Sequence, residues 1–240
     1  MFKNKILILI LSSFLFSNIY GQRETTKNLP KFDHRFMHFG FLLGLNSADF
    51  VLQRFPPSSP GADSLFILEP KAATGFNLGI ISSMHFGKYF SLRFTPNLAF
   101  SSRSLVYTFE TFEGPKQYTK DIESTLINFP LGIKYKSVRL NNFSAYILLG
   151  AAYSLDLASD AGHENLSTNP NDVVVAIKRD DFMGQIGFGT DFYLEYFKFG
   201  IELKMSYGFR DLLDHDGTQF STPIDNLRSK MFLLSFTFEG

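Results

Sequence analysis

Two histidines are the residues whose type and placement could do chemistry most directly. His38 and His85 fall near the ends of the first two predicted strands, and by parity both point to the same face. A pair of imidazoles could bind a metal ion or exchange protons near neutral pH. No third ligand is evident, so a hydrogen-bonded pair is the more ordinary interpretation, and we expect neither a metal nor a cofactor.

A second set of polar residues is predicted on the same inner face. Charges removed from water are stable only when they are paired, so we expect one mixed-sign network across the interior. The network could fill the interior as a plug, or line a selective conduit, which an eight-stranded interior leaves little room for. The members are Arg93, Asn97, Lys134, Lys136, Asp191, Glu202, Lys204, Arg210 and Glu239.

The connecting segments carry the remaining candidates. His163 and His215 fall in different loops, and residues 211–217 read Asp-Leu-Leu-Asp-His-Asp-Gly, without the ligand spacing of a calcium loop. Neither a Gly-x-Ser-x-Gly elbow nor a His-Glu-x-x-His motif is present. We expect a non-enzymatic protein. The alternative is a lipid-modifying enzyme whose activity would depend on the loop histidines.

Strands must position all of these residues. Residues 197–209 read Phe-Lys-Phe-Gly-Ile-Glu-Leu-Lys-Met-Ser-Tyr-Gly-Phe, so every second side chain is large and apolar. This period of two predicts a strand with one apolar face and one polar, glycine-containing face. Eight such segments follow one another, at about residues 35–46, 72–86, 90–109, 121–136, 143–157, 181–194, 197–209 and 228–239.

The connections between these segments alternate in length. Residues 87–89, 138–142 and 195–196 are tight, whereas residues 50–70, 110–120, 158–179 and 211–227 are long and rich in Pro, Gly, Asp and Asn. Small outer-membrane barrels have short periplasmic turns, long outer loops and an even number of strands. The pattern therefore predicts an all-β, eight-stranded antiparallel up-and-down transmembrane β-barrel with both termini in the periplasm.

Two local irregularities are predicted. In the third segment the apolar phase shifts between Phe100 and Leu105, which predicts a β-bulge near residues 101–104. Pro130 lacks an N–H and would break a ladder bond in a central strand, so a local distortion is expected there.

The N-terminus and the composition limit the cellular location. Lys3 and Lys5 precede a short apolar stretch, which predicts a cleaved signal peptide over residues 1–21, a periplasmic arm over residues 22–34 and a barrel over residues 35–240. The chain has 23 basic and 23 acidic residues, and loss of the two signal-peptide lysines leaves about −2, which argues against a nucleic-acid partner.

Three features favour lipid around the apolar face: the bulk of its side chains, the composition of the opposite face and the predicted signal peptide. A lipocalin-like soluble barrel would also alternate, but 29 phenylalanines and 10 tyrosines are too bulky for an eight-stranded interior. The opposite face mixes charges with glycine, as a narrow interior requires. The sequence therefore favours lipid as the medium around the apolar face, in the outer membrane of a Gram-negative bacterium.

Three stretches resemble one known family. Residues 126–135 read Leu-Ile-Asn-Phe-Pro-Leu-Gly-Ile-Lys-Tyr, residues 40–46 read Gly-Phe-Leu-Leu-Gly-Leu-Asn, and the chain ends Phe-Thr-Phe-Glu-Gly. Together they resemble the PorT family of outer-membrane barrels from the type IX secretion and gliding-motility apparatus of Bacteroidetes. The resemblance implies a non-enzymatic accessory or assembly role among other secretion components. A generic small barrel, with a role in adhesion or envelope integrity, is the alternative.

Overall fold

The structure is a computed structural model that describes residues 26–55, 65–111, 114–159 and 173–240. The predicted signal peptide, part of the arm, His163 and the tips of three loops lie outside these residues. Within the described ranges, no helix is long and apolar enough to cross a bilayer.

Antiparallel strands form one closed ring. They are β1 (Met37–Arg54), β2 (Leu65–Phe86), β3 (Phe90–Phe94), β4 (Asn97–Thr111), β5 (Gly114–Lys136), β6 (Phe143–Asp156), β7 (Asp180–Tyr193), β8 (Lys198–Gly208) and β9 (Ile224–Glu239). β1 pairs with β2 on one side and with β9 on the other, so the sheet closes on itself. β3 and β4 both pair with β2 and β5, and together they make one barrel strand. The described residues thus form an eight-stranded barrel, which confirms the predicted fold class.

Two prolines explain why one barrel strand is divided. β3 and β4 are separated by Thr95 and Pro96, and Pro130 of β5 lies opposite this gap. Neither proline can donate a ladder hydrogen bond, and Thr95 N–H donates to the Pro130 carbonyl at 3.1 Å. β5 itself stays continuous and keeps its register with β6. The distortion expected at Pro130 therefore occurs in the neighbouring barrel strand, as the break between β3 and β4.

The bulge predicted near residues 101–104 is wrong. β4 and β5 pair without a register shift, and β4 alternates regularly, with Leu105, Tyr107 and Phe109 pointing inward. The irregularity lies on β2, between Ala72 and Phe76. The change of apolar phase in the sequence arises because the interior itself changes from polar to apolar along the barrel axis.

The two ends of the barrel differ. At one end, the turn end, strands are joined by short connections such as the Gly87 turn, where a positive φ of 75° favours glycine. Longer connections lie at the opposite end, the loop end. The loop predicted at residues 110–120 is wrong, because β4 and β5 run on as a hairpin to the Thr111–Gly114 pair.

The outer surface of the barrel wall is apolar. Ile80, Ile133 and Phe188 are 63%, 57% and 60% exposed, whereas the residue that follows each of them in its strand is buried. Leaving so many large apolar side chains in water would be costly, whereas hydrocarbon accommodates them.

Candidate functional site: the closed barrel interior

A chain of ion pairs of alternating sign fills the interior towards the turn end. Its successive contacts measure 2.8, 3.8, 3.0, 3.1, 2.8 and 3.0 Å between charged atoms. Every side chain in this series of ion pairs is at most 4% exposed. In order, the members are Lys134, Asp191, Lys198, Glu239, Arg93, Glu202 and Lys204. Each internal member has an oppositely charged neighbour on both sides, which offsets the loss of hydration.

Arg93 carries this chain across the interior. It projects from β3, whereas its two partners Glu202 and Glu239 project from β8 and β9. In the ring of eight strands, β3 and β8 stand opposite each other. The guanidinium therefore joins facing walls, and its planar array of donors suits two carboxylates at once.

Tyr146 of β6 closes the space beside this contact. Its hydroxyl donates to Glu202 Oε2 at 2.9 Å, and the Lys134 ammonium lies 3.5 Å from the centre of its ring. The ring crosses Gly189 of β7, where an added Cβ would collide with the ring and with the Ile201 carbonyl. Glycine at position 189 thus allows the ring to lie flat against the wall.

A row of amides forms the next layer. Asn46 donates to Asn77, Asn77 and Asn128 each donate to Asn97 Oδ1 at 3.3 and 3.0 Å, and Ser154 donates to Asn128 Oδ1 at 2.6 Å. These residues come from five consecutive strands of the ring, β1, β2, β4, β5 and β6, so the row covers more than half of the wall.

Arg103 lies one layer further towards the loop end. It is 2% exposed, donates to Ser229 and Ser124 at 3.1 and 2.6 Å, and packs its guanidinium 4.3 Å from the Phe50 ring centre. Asp156 and Asp181 are also buried at this level. Sequence parity alone predicts that Arg103 faces inward, whereas a bulge at residues 101–104 would leave its direction undefined.

An apolar cluster closes the loop end. Residues 173–177 and the segment around Leu213 fold into the mouth, where Ile177 forms a β-bridge with Leu213. Phe220 is fully buried, and its carbonyl accepts a 3.0 Å hydrogen bond from the Tyr107 hydroxyl. The side chains of the cluster are Phe50, Leu68, Leu105, Tyr107, Phe109, Ile122, Val173, Val175, Ile177, Leu212, Leu213, Phe220, Ile224 and Leu227.

Asp211 ties this cluster to the wall. Its carboxylate accepts hydrogen bonds from the backbone of Leu227 and Leu213 at 2.9 and 3.2 Å, and His215 lies 3.1 Å away. Partial burial alone would raise the pKa of Asp211, but these contacts and the charge of Lys178 lower it overall. The acidic loop thus has a structural role in capping the barrel.

The N-terminal arm closes the turn end. Its single-turn 3-10 helix, Phe32–His34, places the Phe32 ring inside the barrel mouth, where the residue is 4% exposed. The ring stacks on His38 with centres 3.7 Å apart and meets His85 and Tyr193 edge-on. The Lys198 ammonium lies 4.7 Å from the Phe32 ring centre, so the arm rests directly on the ion-pair chain.

Polar contacts fix the arm in this position. Asp33 accepts from Lys136 at 2.5 Å, and Asn28 N–H donates to Asn142 Oδ1 at 2.9 Å. Arg139 donates to the carbonyl oxygens of Leu29 and Asn28. Partial burial would raise the pKa of Asp33, but its hydrogen bond to Lys136 and that cation's charge lower it below the usual 3.8.

The two predicted histidines are neighbours. The rings of His38 and His85 meet edge-on with centres 4.8 Å apart, and His38 Nε2 lies 2.8 Å from the Phe32 carbonyl oxygen. Their third neighbour is the Phe32 ring, which cannot bind a metal. Within the described residues, no group of three or more metal-binding side chains comes together.

Most predicted interior residues do lie in the interior, but Arg210 does not. Arg93, Lys134, Asp191, Glu202, Lys204 and Glu239 belong to the ion-pair chain, Asn97 to the amide row, and Lys136 to the arm contact. Arg210 follows the end of β8, pairs with Asp180 and is about half exposed, so its placement in the interior was wrong. Lys198 was missed, although it shares the parity of Glu202.

The described interior therefore has three closures in series along its axis. The arm closes the turn end, the ion-pair chain crosses the interior directly below the arm, and the apolar cluster closes the loop end. The charged side chains of the interior are paired with one another. This pairing stabilises the closed barrel and opposes the passage of ions.

A known protein family and several solved structures are similar to this chain. A family model described as an outer membrane protein beta-barrel domain matches residues 20–214, and no curated protein matches the chain. The crystal structure of OprG from Pseudomonas aeruginosa aligns over 85% of this chain and 94% of its own, at 12% identity and a TM-score of 0.42. Neisserial surface protein A aligns over 83% and 95%, at 13% identity and 0.42. Ail of Yersinia pestis, in complex with the heparin analogue sucrose octasulfate, aligns over 86% and 100%, at 14% identity and 0.39.

Proposed function

The chain belongs to the outer membrane protein beta-barrel domain family, and from this premise we propose that it is a closed barrel that acts through contacts made at its surfaces. It neither conducts solutes nor catalyses a reaction. Its broad role is in adhesion or in maintaining the integrity of the envelope.

The observation that carries this proposal is the contact between opposite walls. Arg93 binds Glu202 and Glu239 at 2.8 and 3.1 Å, with every participating side chain 1% exposed. A pore for polar solutes needs water beside its charged groups, whereas these charges are desolvated and mutually neutralised. A barrel of this kind offers only its two ends and its lipid-facing wall to other molecules.

Deletion of the gene tests the broad role. We expect intact cells to lose part of their outer-membrane barrier or their surface attachment, which uptake of a large antibiotic and adhesion assays measure. Complementation with the wild-type chain should restore the lost property. A deletion strain that loses uptake of a specific small solute, with barrier and adhesion intact, would contradict the proposal.

A second, narrower function is favoured by the sequence alone. The resemblance of residues 126–135, the first strand and the chain ending to the PorT family supports a role as an accessory or assembly protein of type IX secretion. Its partners would then be other secretion components, its source a member of the Bacteroidetes, and both termini would face the periplasm.

Secretion assays separate the two functions. In the narrower role, the deletion strain fails to export proteins that carry the C-terminal sorting domain. Normal export together with a weakened barrier would support the broad role and exclude the narrower one. Variants in the loops and in the turn end, tested separately, would show which end makes the essential contact.

A further inference from the structure

We propose that the turn end binds the phosphate-bearing headgroup of an anionic glycerophospholipid. The site is a cleft of about 690 Å³ between three segments: the arm, the β2–β3 turn and the start of the β5–β6 connection. Arg35, which follows the arm directly, Lys88 of the turn and Arg139 of the connection line the cleft.

The charge of the cleft is strongly positive. Among its lining residues are Arg35, Lys88, Lys136 and Arg139, and the one carboxylate is that of Asp33, so the net charge is +3 with histidines neutral. Asp33 is already engaged by Lys136 at 2.5 Å. Within the described part of the chain, neither Arg35 nor Lys88 has an ion-pair partner, and Arg139 bonds only to uncharged oxygens. Arg35 and Lys88 are therefore available to an anion, and Arg139 adds its positive charge to the cleft while its donors hold the arm.

A histidine with an unpaired nitrogen is also among the residues that line this cleft. His85 lines it, and its Nδ1 is buried without a hydrogen-bond partner in the described structure. A buried nitrogen of this kind is costly unless a ligand atom or solvent pairs with it. The cleft thus combines cationic side chains with an imidazole that has an unpaired nitrogen.

The position of the cleft identifies a lipid as the source of the anion. Aromatic rings of the outer wall surround the same end, with Phe36 and Phe86 6.3 Å apart and Phe90 and Tyr135 5.0 Å apart between ring centres. These rings are 45–60% exposed. Aromatic girdles mark the membrane–water interface of such barrels, so the cleft lies at the height of the headgroups. Basic pockets at this height bind anionic headgroups, and a guanidinium can hold a phosphodiester through two hydrogen bonds.

Native mass spectrometry of the full chain in neutral detergent tests the site. The probes are short-chain phosphatidylglycerol, phosphatidylcholine of the same chain length, and inorganic phosphate. The test variant is Arg35→Gln with Lys88→Gln, and the control is Lys71→Gln with Lys116→Gln, which removes two exposed charges at the loop end. On an SDS gel, each unboiled variant should migrate at the position of the folded wild-type barrel, which confirms that the variant folds.

We expect phosphatidylglycerol to bind the wild type and the control at least about tenfold more tightly than it binds the test variant, or about 1.4 kcal/mol. Phosphatidylcholine should bind the wild type more weakly than phosphatidylglycerol does. Equal binding of the two lipids, or equal binding by both variants, would overturn the proposal. Binding of inorganic phosphate that matches phosphatidylglycerol would show a free-anion site. Capture of an acidic protein through Arg35 and Lys88, without lipid binding, would show a protein interface.

Discussion

Arg93 of β3 and Glu202 of β8 come from opposite walls of the barrel and meet at 2.8 Å with both side chains buried. A contact of this kind decides what the interior can do. Because the two groups neutralise each other where a pore would need water, the contact favours a closed interior and supports the proposal that the barrel acts through its surfaces.

Removal of Arg93 should be costly. We expect Arg93→Gln to leave Glu202 and Glu239 with one cation each in a desolvated interior, and to lower the free energy of unfolding by about 3–5 kcal/mol. Urea unfolding of the barrel in lipid bilayers measures this change. Lys71→Gln, at an exposed position, should stay within about 0.5 kcal/mol of the wild type. If Arg93→Gln left the free energy of unfolding unchanged, the ion-pair chain would not stabilise the fold.

Phe32 should hold the arm in the barrel mouth without affecting the stability of the barrel. In Phe32→Ala the stacked contact with His38 is lost, so we expect residues 26–36 to be cut by added protease at least several times faster than in the wild type. The barrel itself should keep its unfolding midpoint. Phe36→Ala is the matched control, because Phe36 is 60% exposed and contributes no ring to the barrel mouth. Equal cleavage of both variants would contradict this role of Phe32.

The arm should also detach in acid. The pKa of Asp33 is lowered in the folded state, so its ionised form stabilises the arm contact above its ordinary pKa of 3.8, and the stabilisation is lost as pH falls through the folded value. The protection of the arm amides, measured as the ratio of the intrinsic to the observed exchange rate, should therefore fall between about pH 6 and pH 3. Asp33→Asn should show fast exchange throughout this range. An unchanged profile in Asp33→Asn would refute the assignment.

The loop-end cluster should depend on Phe220. Replacement of this fully buried ring by alanine leaves a cavity, and we expect the free energy of unfolding to fall by about 3–5 kcal/mol. Tyr107→Phe removes only the hydrogen bond to the Phe220 carbonyl and should cost about 1–3 kcal/mol, because that carbonyl is left unpaired. Denaturant titration in bilayers measures both. A larger loss in Tyr107→Phe than in Phe220→Ala would contradict this ordering.

Sequence parity predicted the wall of the barrel well, and it failed where the interior changes character. Alternation placed Arg93, Asp191 and Glu202 on one face, because a strand of period two leaves no other choice. It failed at Leu105, because a stretch of apolar residues on the inner face has the same pattern as a register shift. Only the fold shows that loop residues descend to cover this stretch.

The closures at the two ends of the barrel could not be predicted from the sequence, for a different reason. Phe32 lies in a short polar arm without periodicity, and its burial depends on a mouth formed by residues far along the chain, such as Tyr193. Arg139 likewise binds the arm carbonyls across more than a hundred residues. Contacts of this type depend on ring closure, which local patterns do not encode.

Single-channel recording in planar bilayers tests the central claim most directly, with the full chain reconstituted and its folded, inserted state verified in the same lipid. We predict that the wild type gives no conductance steps, because the Arg93–Glu202 contact crosses the interior between two closed ends. Reproducible ohmic steps from the intact wild-type barrel would contradict a closed interior.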